Sequence, residues 1–91
     1  MTIEPGLPPT TRQLADGSLD HPECAIGDAV GQCLIAGGED GQLYRVALDG
    51  SGVDLVAHRR GSFFLGLALD ARGDVFACDL GSGGVIRVTR E

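Results

Sequence analysis

Tryptophan is absent from this chain and aromatic residues of any kind make up 4% of it. A core here must therefore be built from Val, Leu, Ile and Ala. Basic residues are scarce too: 7 Lys and Arg stand against 13 Asp and Glu, a formal charge of −6. Such a surface repels polyanions, which argues against nucleic acid or an anionic membrane as partner. A cation meets no such opposition. Nowhere do apolar residues run for the ~20 positions needed to cross a bilayer. Met1 to Pro9 hold neither a basic start nor an apolar stretch, so they do not form a signal peptide. On these missing signals alone, the expected location is the cytoplasm. Helical periodicity is never sustained over three turns, which leaves helix at most incidental. The cysteines Cys24, Cys33 and Cys78 are odd in number and lack CxxC or Cys/His spacing. Small buried free thiols inside strands are the expectation for all three.

Glycine, by contrast, is abundant: 15 of 91 residues, about twice its usual share. It punctuates a repeat. The stretch from Pro22 to Val46 returns in register, without a gap, 42 positions later. Asp28-Ala29-x-Gly31 becomes Asp70-Ala71-x-Gly73, and Gly41-x-x-x-Arg45-Val46 becomes Gly83-x-x-x-Arg87-Val88. Between these anchors Ile26 aligns with Ala68, Leu34 with Phe76, Leu43 with Val85 and Tyr44 with Ile86. A period of roughly 40–45 residues with short β-like runs and Gly turns is the signature of a β-propeller blade.

The segment 1–10, with Pro5, Pro8 and Pro9, forms an extended lead-in. Strands are expected over Thr11–Ala15, Cys24–Gly27, Gln32–Ala36, Gln42–Leu48, Val53–His58, Phe64–Leu69, Asp74–Cys78 and Gly84–Thr89. The repeat units are 11–52 and 53–91. Gln13-Leu14-Ala15 falls on Leu55-Val56-Ala57 when shifted by the same 42 residues. Each unit then consists of an outer strand followed by inner, second and third strands, with the cut between a blade's third and fourth. The predicted fold is all-β: two consecutive four-stranded antiparallel blades of a six-bladed propeller, not closed in this chain. Four to eight blades close a ring, so a lone copy would leave sheet edges unpaired and blade faces wet.

Two runs bear a family resemblance. Pro22-Glu23-Cys24-Ala25-Ile26-Gly27-Asp28, followed by Ala36-Gly37-Gly38-Glu39-Asp40-Gly41-Gln42-Leu43-Tyr44-Arg45, resembles the first blade of strictosidine-synthase-like proteins. Leu65 to Asp79 resembles their next blade. That group belongs to a superfamily with gluconolactonases, senescence-marker proteins and paraoxonase-type lactonases, six-bladed propellers that commonly hold calcium or another divalent ion in a central channel. The resemblance spans Leu14 to Thr89. It implies an N-terminal fragment of a metal-dependent hydrolase of lactones or esters, the larger part of a complete protein lying outside.

Glu23 is the candidate metal ligand. It opens the first inner strand, and its repeat partner is the apolar Leu65. In the resembling family a Glu at this motif binds the metal. Calcium takes six or more oxygen ligands, and a bound ion can polarise a lactone or ester carbonyl. A solvated turn carboxylate is the plainer reading of the same residue. The family's other ligands belong to later blades, so calcium binding is expected in a complete propeller and the isolated chain is expected to be inactive. No catalytic residue is assigned.

Other residues carry less. His21 abuts Glu23 and offers a general base, while His58 sits exposed in an outer strand beside Arg59-Arg60. Asp28, Asp70, Asp79 and the Glu39-Asp40-Gly41 turn are explained by turn chemistry. Arg45 and Arg87 recur in third strands and are expected to pair with acids of neighbouring blades. Gly81-Ser82-Gly83-Gly84 lacks the Lys-Ser/Thr ending of a phosphate loop, and Ser62 and Ser82 lack a nucleophile elbow. The alternative function is a non-enzymatic binding module closing its ring as a homotrimer, with three copies of Glu23 around the channel. A decayed gene product without function is a third reading.

Overall fold

The structure is a computed structural model and describes residues 12–90. The expected lead-in, 1–10, lies outside the described residues. Seven strands follow one another: β1 (Pro22–Asp28), β2 (Cys33–Gly38), β3 (Gln42–Ala47), β4 (Val53–His58), β5 (Phe64–Leu69), β6 (Val75–Asp79) and β7 (Gly84–Val88). There is no helix among the described residues. β4 and β5 have the bounds expected from the sequence, and the other five differ by one or two residues at one or both ends. The expected strand over Thr11–Ala15 is not formed at residues 12–15.

The strands build two antiparallel meanders, β1-β2-β3-β4 and β5-β6-β7. The second sheet thus has three strands where four were expected, because nothing among the described residues pairs with the outer edge of β7. The chain is not closed. β4 joins the first sheet by pairing with β3.

The repeat is less simple than an ungapped shift. Leu34 pairs with Gly27 and Val46, and the residue held between the matching positions Leu69 and Val88 is Val75, not Phe76. β1 and β3 recur after 42 residues, whereas β2 recurs after 41. The first β1–β2 turn is one residue longer than its counterpart, and the second sheet's β6–β7 turn is longer by one in compensation. The alignment of Leu34 with Phe76 is therefore corrected. Because side chains alternate across a strand, that single offset exchanges inward and outward residues along the whole of β6.

The main core lies between the sheets. Cys33, Ile35 and Leu43 on the first sheet meet Phe64, Val75 and Ala77 on the second, with Ile26, Leu67, Ile86 and Val88 packed around them. The sheets come together chiefly along β1 and β5. Leu43 and Phe64 are fully buried, which removes about 1.5–3 kcal/mol worth of apolar surface per side chain from water.

A smaller cluster occupies the opposite face of the first sheet. Ala36, Tyr44 and Val46 are buried there beneath Leu14, Ala15 and Leu19 of the segment 12–20. The Asp20 amide donates to the Tyr44 hydroxyl at 3.2 Å and the Gln42 side-chain amide donates to the Asp20 carboxylate at 3.2 Å. That segment is a strap over the sheet rather than a strand in it.

The outward face of the second sheet has no such cover among the described residues. Val85 is 66% exposed and Leu65 45%. The three thiols are free, but only Cys33 is buried; Cys24 is half-buried and Cys78 is exposed, contrary to expectation. The reason is the β6 offset, which turns Cys78 to the open side.

Candidate functional site

Glu23 sits near the start of β1, beside the irregularity that shifts the register between Pro22 and Cys24. It is exposed, as is its repeat partner Leu65 near the start of β5. Since β1 and β5 are the strands along which the sheets meet, both residues lie at the same end of adjoining strands.

His21 precedes β1 with a left-handed φ of 46°, a conformation that an L side chain adopts only at a cost. Its Nδ1 bonds the Asp20 carboxylate and lies 3.9 Å from Glu39. The hydrogen bond and charge of Asp20, then the charges of Glu39 and Glu23, raise the imidazole pKa. His21 therefore stays protonated to higher pH than a free imidazole, held against the Asp20 carboxylate in the way a carboxylate orients a base. The fold brings Glu39, sixteen residues beyond Glu23, to the same imidazole that Asp20 and Glu23 flank in sequence.

These residues do not make a calcium sphere. Among the described residues no three of His, Cys, Asp and Glu converge to hold a metal ion. Glu23 supplies one exposed carboxylate, and six or more oxygens are needed.

The most elaborate polar site is instead a buried node at Asp79, only 3% exposed. Its carboxylate accepts from the Ser62 hydroxyl at 2.7 Å and from the amides of Phe63 at 2.8 Å and Gly81 at 2.9 Å. The Ser82 hydroxyl contributes the largest effect, and together these donors hold the Asp79 carboxyl well below the usual carboxylate range. Asp79 thereby ties the 59–63 connection to the β6–β7 turn. Ser62 and Ser82 find their use here, as donors rather than nucleophiles. Ser82 stands three residues after Asp79 in the sequence, but Ser62 is seventeen residues earlier and nothing local marks the acid as buried.

Asp28 and Asp70 cap their own turns as expected: Asp28 accepts from the Gly31 amide, and Asp70 from those of Arg72 and Asp74. Arg87 does not reach a neighbouring sheet. It pairs with Asp74 at 2.7 Å in its own sheet and lies over the Phe76 ring, 5.5 Å from its centroid. β6 and β7 are hydrogen-bonded neighbours, so the acid at the near end of β6 is the one within reach. His58 meets Asp40 at 3.2 Å.

Acid should act chiefly through these carboxylates. The pKa of Asp79 is lowered by Ser82 and its other donors, that of Asp74 first by the Arg90 amide and then by Arg87, and that of Asp40 first by His58. Each is depressed in the folded chain, so its stabilisation is present above the unfolded value near ~3.9 and is lost as pH falls toward the folded one. Circular dichroism on acid titration should show unfolding below about pH 4. Asp79→Asn should be less stable at neutral pH and should lose stability less steeply with acid. A variant with the parental profile would remove Asp79 from this account.

No protein-family model matches the chain, and neither a curated protein nor a solved structure matches it. Among the described residues no helix is long and apolar enough to cross a membrane.

Proposed function

We propose that this chain forms two consecutive blades of a six-bladed β-propeller of the gluconolactonase and strictosidine-synthase-like group. In the closed ring it lends Glu23 as one ligand of a channel calcium ion, and the ring hydrolyses a lactone or an ester. The observation that carries the reading is the stacking of two meanders along their first strands. It puts the exposed Glu23 and Leu65 at one end of β1 and β5, an acid on one sheet and an apolar residue on the next.

The chain's own contribution is modest in chemical terms. Asp20, Glu39 and Glu23 gather carboxylates at one end of the first sheet around the His21 imidazole. The described residues supply too few oxygens for the ion, so the remaining ligands come from other blades. Glu23→Gln in the ring-closed protein should abolish lactone or ester turnover and weaken calcium binding, measured by calorimetry, by roughly tenfold or more. Undiminished turnover and affinity would overturn the assignment. A non-enzymatic binding ring of three copies is favoured by a separate observation: the second sheet keeps an apolar face open, and β7 has no outer neighbour among the described residues.

A further inference from the structure

The stack inside the chain has a direction. The first sheet presents Ile26, Ile35 and Leu43 to the second. The second answers with Leu67, Ala77 and Ile86, whose register positions in the first sheet are Ala25, Ala36 and Tyr44, on its opposite face. Unlike faces are joined, so each sheet retains one face of the kind its neighbour has used.

On the second sheet the retained face carries Ala68, Phe76 and Val85 at the register positions of Ile26, Ile35 and Leu43. Its chemistry is that of a face already seen covered, yet Val85 and Leu65 stand in water. On the first sheet the retained face is Ala36, Tyr44 and Val46, covered by the strap. The strap has a second identity. Gln13-Leu14-Ala15 is the repeat equivalent of Leu55-Val56-Ala57 in β4, the strand that completes the first sheet. Among the described residues the second sheet has no strand in that place.

We propose that a second copy of this chain docks head to tail on the second sheet. Residues 13–15 of that copy leave their own first sheet and add to the outer edge of β7 as its fourth strand. The Ala36–Tyr44–Val46 face so uncovered packs on Leu65, Phe76 and Val85. One movement thus supplies both missing parts, a strand and a complementary face. The strap is suited to exchange: it holds its sheet chiefly by three half-buried apolar residues and two hydrogen bonds at Asp20, and strand addition offers residues 13–15 a backbone ladder in return. Strand addition satisfies the open backbone groups of β7, and the apolar face loses its water. Because the two surfaces differ, the contact propagates until it closes, and three copies of two sheets make a ring of six. The docking rests on reading the sheets as blades, and it needs no hydrolase.

Light scattering across a concentration series should give three chain masses for the parent. Leu14→Pro blocks strand addition, and Val85→Asp places a charge on the receiving face; each should be monomeric with its β circular-dichroism spectrum intact. Mixed in equal amounts they should form a 1:1 pair, since Leu14→Pro keeps the receiving sheet and Val85→Asp keeps the strap. If Leu14→Pro does not fold, Gln13→Pro serves in its place at an exposed position. A parent that stays monomeric at high micromolar concentration, or folded variants that fail to complement, would overturn the docking. A trimer in which Glu23→Gln leaves calcium affinity unchanged would sink the ligand role of Glu23 alone.

Discussion

Phe64→Ala is expected to lower the urea midpoint so far that no more than a remnant of the cooperative transition survives. Phe64 is 1% exposed and begins β5, the strand along which the second sheet meets the first. The Cys24 thiol donates to its carbonyl at 3.8 Å, and its Cβ stands close against Gly37. It is thus both the largest buried side chain of the core and the point where the two sheets lock. Truncating a buried Phe costs about 3–5 kcal/mol, against a total of roughly 5–15 kcal/mol for a typical domain. With two sheets and one shared core, this chain has little else to hold them together. Leu65→Ala, one residue on but exposed, should stay within about 0.5 kcal/mol. A Phe64→Ala midpoint close to the parent's would mean that the sheets do not depend on one another.

Gly41→Ala should be far more damaging than Gly83→Ala, although both occupy the same repeat position and nearly the same left-handed conformation, φ 75° and 73°. A side chain there costs roughly 1–2 kcal/mol from backbone crowding alone. At Gly83 that is the whole effect, since nothing lies within 4 Å of an added Cβ. At Gly41 the new carbon would fall onto the Arg59 carbonyl oxygen. That backbone is tethered to Gly41 itself, the Arg59 amide donating to the Gly41 carbonyl at 2.9 Å. Relieving the clash means shifting the turn after β4 and losing this bond, a total near 3 kcal/mol or more. Calorimetric melting of the two variants separates the cases. Equal shifts in Tm would mean that the Arg59 turn yields freely.

Much of the architecture was legible before any coordinates. Alternation after the Asp49-Gly50 turn placed β4, and an apolar run between Gly61-Ser62 and Asp70 placed β5, both at their observed limits, and the turn carboxylates Asp28 and Asp70 behave as their type and position require. The offset of β6 was hidden because two turns of unequal length cancel, leaving a 42-residue period that aligns without a gap. A one-residue difference is minor in an alignment and decisive for a strand, where it moves Cys78 outward and Val75 into the core. The exposure of Glu23 at the head of β1 was likewise legible, whereas Glu39 reaches the same end of the sheet only through the β2–β3 turn.

Alternation and turn chemistry act over a few residues, and so the order of the strands, their antiparallel meanders and the recurrence of the unit belong to the amino-acid sequence alone. Which face each strand shows, the burial of Asp79 among two serines and two amides, and the strap lying over Tyr44 in place of an eighth strand were decided by tertiary structure. The physical reason is that burial is settled between segments: residues 12–20 cover the apolar surface nearest to them, and no local pattern states which surface that will be.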